Sequence, residues 1–408
     1  MKNSDCIALI LAGGRGERLS LLTKEVSKPA IHFGGAYRLI DFTLSNCKHS
    51  DVGVVGILTQ YRQKELAEYI STGEQWCPAG RDTEIVTLPS KNGRGSRGAY
   101  SGTADAIWKN TGFVEGFDPE NLLVLSGDHV YKMDYAKMLE THKNSGAALT
   151  IAATSVPWDD ADRFGIINID SDGRIVGFEE KPQDPKSNLA SMGVYIFDWK
   201  TLKNHLMISS SNPYSTMDIG GDIIPQMLMC GEKLVIHRFG GYWKDVGNIY
   251  SLWEAHMELL SDSPGIRLSD DNWKIIGRNI GAPKYYRNYT STCQSIKNSL
   301  ISDGVFNRGN IIDSVVSTGV EIGEDASIYH SVIMPGAKIG KGALVIKAIV
   351  GTNSIVGDYT SIGRIKPDGK YMDNCQGVSL IGDNINISGC SDNRVAFAAF
   401  PRQRVCAV

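Results

Sequence analysis

The residues best suited to chemistry stand at the end of the first apolar run, CIALILA, where the chain continues as Gly13-Gly14-Arg15-Gly16. Glycine has no Cβ, so backbone N–H groups in such a loop can approach a phosphate closely. Arg15 and Arg18 add cations that phosphate oxygens can share. The motif is neither the dinucleotide-binding GxGxxG nor the phosphate-binding GxxxxGK. By itself, the loop also fits a tight strand-to-helix turn with solvated arginines, and both interpretations stay open.

The sequence predicts the sheet that must position this loop. Between Cys6 and about Leu260, strand-like runs that are apolar almost throughout alternate with helical patterns. We therefore predict an α/β first domain with a Rossmann-like, mostly parallel sheet. Ligands bind beyond the carboxyl ends of such strands, where the glycine loop and Gly127-Asp128 both fall. The runs are CIALILA (6–12), VVGILT (54–59), LLVLSGDHV (122–130) and ALTIAATSV (148–156), with helical stretches from Gln63 and through Met138.

An antiparallel hairpin is expected within this domain. The segment 164–182, FGIINIDSDGRIVGFEEKP, alternates on both sides of a turn at Asp172-Gly173. A stretch with two prolines and weak periodicity then predicts a linker. The expected divisions are a catalytic domain (1–262), a linker (263–290), a second domain (291–390) and a tail of unknown structure (391–408).

The second domain has a repeat that no helix produces. Valine or isoleucine recurs every six residues in groups of three. These groups repeat at an interval of 17 residues, and three glycines repeat at the same interval. One inward aliphatic residue in each of three short strands per coil predicts a left-handed hexapeptide β-helix. The triplets are Val316, Ile322, Ile328; Ile333, Ile339, Val345; and Val350, Val356, Ile362, and the glycines are Gly323, Gly340 and Gly357.

Bulk composition excludes several classes of protein. At 408 residues the chain exceeds a single core, and 42% hydrophobic with 21% charged residues is ordinary for a globular protein. The net charge of -3 favours neither nucleic acid nor an acidic membrane as partner. The N-terminal apolar run is too short for a signal peptide or membrane span. Eight scattered cysteines without a CxxC pair indicate reduced thiols and a cytoplasmic location.

A set of longer motifs resembles the sugar-nucleotide pyrophosphorylases, which transfer a nucleotidyl group from a nucleoside triphosphate to a sugar 1-phosphate. The resemblance covers roughly residues 6–380. It implies a GT-A-type nucleotidyltransferase. The motif HFGGAYRLIDFTLSNC (32–47) resembles the branch of the family that makes ADP-glucose for glycogen synthesis. The motifs are LAGGRGERL (11–19) with SKPA (27–30), HFGGAYRLIDFTLSNC (32–47), YSGTADAIWKN (100–110), SGDHVYKMDY (126–135), FEEKP (178–182), SMGVYIFD (191–198) and YWKDVGNIYSLWEAHMEL (242–259).

The reaction implied by the resemblance is attack of a glucose 1-phosphate oxygen on the α-phosphorus of ATP, with release of pyrophosphate. Two anions must meet, so positioning and charge neutralisation are expected to carry catalysis. Asp128 matches the family's essential, Mg²⁺-binding aspartate, and Asp245 matches its second carboxylate. Without the resemblance, an Asp that follows Gly at a strand end is more often a helix cap.

The resemblance also implies roles for the substrate-binding residues. Lys181 is expected to bind the phosphate of glucose 1-phosphate, and Glu180 the sugar hydroxyls. Gln60 falls where the family couples the nucleotide pocket to regulation. The remaining sugar-phosphate positions are Tyr100, Gly165 and Ser191, and the triphosphate positions are Gly13, Gly14, Arg15 and Lys28, with Arg15 and Lys28 as catalytic charge partners.

One departure from the family pattern concerns regulation. Regulated enteric members carry a Lys-Arg pair where this chain has Glu25 and Val26. A like charge disfavours an anionic activator, so we expect weak activation by fructose 1,6-bisphosphate. The family is typically tetrameric, and some relatives work with a homologous second subunit, so we expect a homotetramer or such a heterotetramer.

Two alternative functions stay open. A non-catalytic regulatory paralogue of the same fold should have lost Asp128, Lys181 or the glycine loop, all of which are present. An acyltransferase would use the hexapeptide repeat, but the coils carry only His330, which a corner position explains, and no long His-bearing insertion to supply a general base.

Overall fold

The computed structural model describes residues 5–77, 84–90, 99–278, 281–291, 294–363 and 377–387. An α/β domain comes first, and a β-helix follows it. The strands of the first domain are β1 (Cys6–Leu11), β2 (His32–Phe33), β3 (Tyr37–Arg38), β4 (Val54–Thr59), β5 (Glu84–Pro89), β6 (Asn121–Ser126), β7 (His129–Tyr131), β8 (Leu149–Ser155), β9 (Gly165–Ile169), β10 (Ile175–Glu180), β11 (Leu189–Asp198), β12 (Leu234–Arg238) and β13 (Trp243–Asp245).

The helices of the described residues all belong to this domain. Short 3-10 turns at Glu17–Leu22, Lys28–Ala30, Glu74–Trp76 and Trp158–Arg163, and a π-helical turn at Ile219–Ile223, complete the connections. The α-helices are α1 (Leu39–His49), α2 (Gln63–Ile70), α3 (Thr103–Trp108), α4 (Thr111–Glu115), α5 (Tyr135–Ser145), α6 (Trp199–Ser211), α7 (Ile224–Met229) and α8 (Ile249–Glu258).

A nine-stranded sheet forms the centre of the first domain, in the order β10-β9-β11-β6-β1-β4-β5, with β8 joined to β11 and β12 joined to β8. Strands β1, β4, β5 and β6 pair in parallel, as their apolar runs predict. Strand β11 runs antiparallel to β6, β8 and β9, so the sheet is mixed on that side. Residues 6–10 of β1 are fully buried between the helical layers on the two faces. The glycine loop therefore leaves the sheet at its carboxyl edge.

The predicted hairpin is confirmed and brings a functional segment back to the sheet. Strands β9 and β10 pair antiparallel, and this register sets Glu180 opposite Gly165. At the turn, Gly173 takes a positive φ of 77° and its N–H donates to the Asp170 carbonyl at 3.2 Å. The hairpin thereby fixes the position of Glu180 and Lys181 relative to the start of β9.

The hexapeptide repeat is confirmed as a β-helix. The aliphatic triplets are buried in one core, and parallel pairing sets Ser327 opposite Asn310 and Leu344 opposite Ser327, an interval of 17. Its strands are β14 (Lys284–Thr290), β15 (Ser295–Ile301), β16 (Phe306–Asn307), β17 (Asn310–Ile312), β18 (Val315–Val316), β19 (Glu321–Ile322), β20 (Ser327–Tyr329), β21 (Val332–Ile333), β22 (Lys338–Ile339), β23 (Leu344–Ile346), β24 (Ala348–Val350), β25 (Ile355–Val356), β26 (Ser361–Ile362), β27 (Ser379–Ile381) and β28 (Asn386–Ile387).

The end of the expected linker is a strand. Strand β14, at 284–290, pairs antiparallel with β15, so regular structure of the second domain begins within the range 263–290. The two domains are packed together, since one hydrophobic core combines α8 with Val315 and Val332 of the coils. Trp253 of α8 donates to the carbonyl of His330 at 2.7 Å, and His330 occupies a coil corner with a positive φ.

The tail over 391–408 lies beyond the described residues. Among the residues that are described, no helix is long and apolar enough to cross a membrane, and Cys6, Cys47, Cys77 and Cys230 are free thiols. The cytoplasmic location stays a prediction.

Candidate active site

Three of the predicted functional residues meet at one point beyond the carboxyl edge of the sheet. Lys28 Nζ lies 2.9 Å from Asp128 Oδ2 and 2.9 Å from Asp245 Oδ1. Lys28 begins a 3-10 turn after the glycine loop, Asp128 lies between β6 and β7, and Asp245 ends β13. Strands β7 and β13 pair antiparallel and bring the two aspartate segments together. Residues far apart in the chain thus form one compact cluster.

The cluster is mostly shielded from solvent, and its opposite charges stabilise one another in their ionised forms. Burial alone would raise the pKa of Asp128 and of Asp245, but Lys28 and His129 hold both pKa values below their usual range. Burial likewise opposes the charge on Lys28, yet the two carboxylates raise the pKa of its ammonium group. The site therefore holds two ionised carboxylates and one cation at neutral pH.

Three residues of this cluster were not assigned a role from the sequence, although each lies in a motif quoted above. His129 Nε2 lies 3.7 Å from Asp128 Oδ1 and 3.9 Å from Asp245 Oδ1. Trp243 Nε1 donates to His129 Nδ1 at 3.4 Å, and the Ser126 hydroxyl donates to the Asp128 carboxylate. All three residues lie within two positions of Asp128 or Asp245 in the sequence, and that proximity is the signal from which they could have been predicted. The pairing of β7 with β13 brings His129 and Trp243 together in space.

The glycine loop presents open backbone next to this cluster. A Cβ on Gly14 would meet no atom within 4 Å, whereas one on Gly13 would lie 3.2 Å from the Cβ of Gln60. Gly16 has a positive φ of 64°, which favours glycine. The Arg15 side chain is 69% exposed, and its Nη1 lies 4.0 Å from Glu17 Oε1. The open backbone at Gly14 and this exposed guanidinium can both be reached by an anion from solvent.

Gln60 links the glycine loop to the segment that carries Tyr100. Its Oε1 accepts a hydrogen bond from the backbone N–H of Tyr100 at 2.8 Å. The Tyr100 hydroxyl in turn accepts from Asn110 Nδ2 at 3.0 Å. Burial raises the pKa of Tyr100, so this hydroxyl stays protonated. Gln60 therefore joins the predicted nucleotide and sugar-phosphate segments, and its coupling role stays a prediction.

Glu180 and Lys181 form a pair at the end of the hairpin. Lys181 Nζ donates to Glu180 Oε1 at 2.6 Å, and the Lys181 side chain is 60% exposed. A Cβ on Gly165 would lie 3.0 Å from Glu180 Oε2, and one on Gly220 would lie 2.6 Å from it. Gly220 thus makes room for the carboxylate, and Gly165 makes room for both the carboxylate and the Phe178 ring, whose Cζ would clash with a Cβ at that position. The substrate-binding role of Gly165 stays a prediction.

Ser191 lies near the start of β11, at the end of that strand that pairs beside the carboxyl end of β6. Its Oγ donates to the Tyr195 hydroxyl at 3.2 Å and accepts from the Gly193 N–H at 3.3 Å. A Cβ on Gly193 would lie 3.5 Å from His129 Cε1. Ser191 is buried and bonded within β11, so it helps to hold the strand in position. Its contact with a sugar phosphate stays a prediction.

A cavity of about 800 Å³ opens beside Asp245, within the size range of ligand sites. Arg18, Phe164, Trp243 and Asn248 contribute to its wall. Among the described residues, no group of three His, Cys, Asp or Glu side chains forms a ready metal cage. Mg²⁺ commonly binds one or two carboxylates together with substrate phosphates, and the ionised pair Asp128 and Asp245 fits that donor set.

Comparison with known proteins identifies the family of each domain. Residues 7–262 match the nucleotidyl transferase family, and residues 282–381 match the GlmU-like C-terminal hexapeptide family. The chain therefore belongs to the nucleotidyl transferase family and carries a hexapeptide domain.

Among its members, the chain is similar to proteins named glucose-1-phosphate adenylyltransferase. That of Bacillus cytotoxicus is 46% identical over 358 residues, which is 88% of this chain and 94% of that protein. That of Bacillus cereus is 47% identical over 357 residues, again 88% and 94%. That of Desulforamulus reducens is 44% identical over 385 residues, 94% of this chain and 95% of that protein. Within the nucleotidyl transferases, the chain belongs with the glucose-1-phosphate adenylyltransferases.

Proposed function

We propose that this protein transfers the adenylyl group of ATP to α-D-glucose 1-phosphate, which yields ADP-glucose and pyrophosphate for glycogen synthesis. The observation that carries the proposal is the cluster of Lys28, Asp128 and Asp245 next to an open glycine loop, in a chain similar to adenylyltransferases over most of its length. The intact cluster counts against a non-catalytic paralogue.

The proposed mechanism assigns the chemistry to positioning and charge neutralisation. Asp128 and Asp245 would hold Mg²⁺, which would supply positive charge to neutralise the phosphates of the substrates. Backbone N–H groups at Gly13 and Gly14 would bind the triphosphate, with Arg15 as a mobile cation for the pyrophosphate. Lys28 keeps both carboxylates ionised and presents its ammonium group beside them.

The hairpin end is proposed to bind the second substrate. The ammonium group of Lys181 is exposed and carried on a fixed strand end, so it can move from Glu180 to the phosphate of glucose 1-phosphate. Glu180 would then accept hydrogen bonds from sugar hydroxyls. Tyr100, Gly165 and Ser191 are proposed to complete this side of the site.

Replacing Lys181 with Ala is expected to raise KM for glucose 1-phosphate by about ten- to a hundredfold, because a hydrogen bond to a charged group contributes about 1.5–3 kcal/mol. KM for ATP and the thermal stability should stay near the wild-type values, since the side chain is exposed. Initial rates at varied concentrations of each substrate make the test. The matched control is Lys186→Ala, an exposed lysine a few residues further on. A variant that changed only KM for ATP would contradict the assignment.

We also propose that activation by fructose 1,6-bisphosphate is weak. Glu25 and Val26 line a cavity of about 200 Å³ between the domains, together with Arg38, Glu65 and Asp383. The guanidinium of Arg38 is already paired with Glu65 at 2.8 Å, and Glu25 pairs with Arg62 at 3.1 Å. Three carboxylates against one engaged guanidinium make this cavity unfavourable for a bisphosphate.

The proposed assembly is a homotetramer, or a heterotetramer with a homologous regulatory subunit. Support comes from the family resemblance and from the absence of the activator's Lys-Arg pair in this chain. The mass of the purified protein, alone and together with any homologous subunit from the same source, distinguishes the two.

Pyrophosphate release by the purified chain tests the proposed function. Mg²⁺, glucose 1-phosphate and one of ATP, UTP, dTTP, CTP or GTP are supplied, with and without fructose 1,6-bisphosphate. The expected result is release with ATP alone and less than about a twofold effect of the bisphosphate. Release with another nucleotide would overturn the adenylyl assignment, and silence with all five would favour the regulatory paralogue. A large saturable activation would contradict the argument from Glu25 and Val26.

A further inference from the structure

One outer face of the β-helix carries an ordered column of exposed side chains. Strands β16, β19, β22, β25 and β28 stack in parallel to form this face. Their register aligns Phe306, Glu321, Lys338 and Ile355 one above the next. Phe306 is 55% exposed and Ile355 is 37% exposed, so each end of the four-residue column presents a large apolar side chain to solvent. The column therefore reads apolar, acidic, basic, apolar.

A second column runs parallel to the first on the same face. It consists of Arg308, Glu324, Lys341 and Asp358, one from each of the same four coils, and all are exposed. Contacts along it connect successive members: Arg308 Nη1 lies 3.6 Å from Glu324 Oε1, and Lys341 Nζ lies 3.0 Å from Glu324 Oε2. The Lys341 N–H also donates to Asp358 Oδ1 at 2.8 Å. This column reads basic, acidic, basic, acidic.

A groove separates the two columns. The glycines at 323, 340 and 357 form its floor, because backbone of the next coil crowds the place where a side chain would begin at the first two. The groove encloses about 370 Å³ and is bordered by both columns. We name this whole surface, with its two columns and the groove, the column face.

We propose that the column face docks onto the column face of a second copy of this chain, with the two β-helices antiparallel. The two-fold axis lies in the plane of the interface, perpendicular to the columns, and passes between the coil of Glu321 and the coil of Lys338. It places each column against the same column of the partner, in reverse order. Glu321 then meets the partner's Lys338, and Phe306 meets the partner's Ile355. In the second column, Arg308 meets the partner's Asp358 and Glu324 meets the partner's Lys341. All four pairs are complementary under the same axis.

Other arrangements of the same two faces lack this match. A parallel pair of β-helices would lay one column over the other and set Glu321 against the partner's Glu324, and Lys338 against the partner's Lys341. An axis through a single coil would place Glu321 or Lys338 against its own copy. Like charges face to face are strongly unfavourable, so the sequence of charges selects both the orientation and the register.

The size of the column face predicts a specific but modest affinity. Five strands at about 4.8 Å spacing make a face roughly 24 Å long. Such a face lies at the low end of interface sizes, where association is weak and polar contacts set the specificity. We therefore expect the assembly to dissociate as salt rises, because the column charges are exposed and screened.

Two reciprocal variants of the full chain test the proposal by sedimentation velocity at low salt. In Glu321→Lys the cross-interface pairs become Lys with Lys, and in Lys338→Glu they become Glu with Glu. Each variant alone is expected to show half the mass of the wild-type assembly, with an association constant lowered at least about tenfold. An equimolar mixture of the two recreates both opposite-charge pairs across the interface, and the full mass is expected to return.

The mixture distinguishes this proposal from an effect within one chain. The contact of Glu321 with Lys338 in the same chain, at 2.9 Å, is broken in both variants and stays broken when they are mixed. The control is Lys64→Glu, which disrupts an exposed ion pair on α2 and should leave the mass unchanged. Thermal unfolding of each variant checks that the fold is kept. Wild-type mass in the single variants, a monomeric wild type at 50 µM, or no recovery on mixing would each overturn the proposal.

Discussion

Replacing Asp128 with Asn is expected to lower turnover by at least about a thousandfold while the fold stays intact. Asn has the same shape, can still contact the Ser126 hydroxyl and Lys28, and keeps the turn between β6 and β7. It lacks the negative charge that the cluster uses beside Lys28 and that a divalent cation requires. The measurement is pyrophosphate release at saturating ATP, glucose 1-phosphate and Mg²⁺, with thermal unfolding as the check on structure.

A matched control for this prediction is Asp172→Asn at the exposed turn of the hairpin. The substitution is chemically identical, and the site is remote from the cluster, so turnover should stay within about twofold of wild type. The assignment of Asp128 would be refuted by an Asp128→Asn enzyme that kept more than about a tenth of wild-type turnover with Mg²⁺.

The second large effect is expected from Lys28→Met, which removes the cation between the two carboxylates. Breaking a buried ion pair by removal of one partner costs about 3–5 kcal/mol, because the remaining charges stay buried without compensation. Lys28 is hydrogen-bonded to both aspartates at 2.9 Å, so the free energy of unfolding should fall by an amount in that range. Turnover should fall by about a hundredfold or more. Urea unfolding and steady-state kinetics measure the two effects.

Lys132→Met supplies the comparison for the stability term. Lys132 contacts Asp270 at 3.1 Å, but that carboxylate is 35% exposed, more than either partner of Lys28, so the loss should be about 1 kcal/mol or less. Added Mg²⁺ should restore part of the stability of Lys28→Met, because a cation that binds the folded state stabilises it. Equal losses in the two variants would mean that Lys28 does not neutralise the aspartate pair.

Features with local causes could be predicted from the sequence. The run CIALIL is long enough to be buried on both faces, and the glycines that follow it can only be loop, so strand β1 and its loop were correctly anticipated. The spacing of six and 17 in the coils reflects one inward residue per short strand, and pairing in the structure keeps it. The hairpin at 164–182 follows from an Asp-Gly turn between alternating strands.

Features that depend on distant segments could not be predicted in this way. Nothing in the composition of β11 marks it as antiparallel to its neighbours, because its apolar pattern fits a buried strand of either direction. The strand at 284–290 is mostly exposed and lacks the alternation that would have marked it within the expected linker. The role of His129 depends on the pairing of β7 with β13, which joins segments more than a hundred residues apart.

The sequence by itself determined the two kinds of domain, the glycine loop at a strand end and, by resemblance, which residues to examine for adenylyl transfer. Only the tertiary structure decided that Lys28 lies between Asp128 and Asp245, that His129 touches both carboxylates, and that the charged columns of the β-helix share one face. The physical reason is the distance along the chain over which each kind of interaction acts. Hydrophobic periodicity and turn chemistry act between neighbours in the chain, whereas charges interact through space, and their partners are set by the folded sheet and coils.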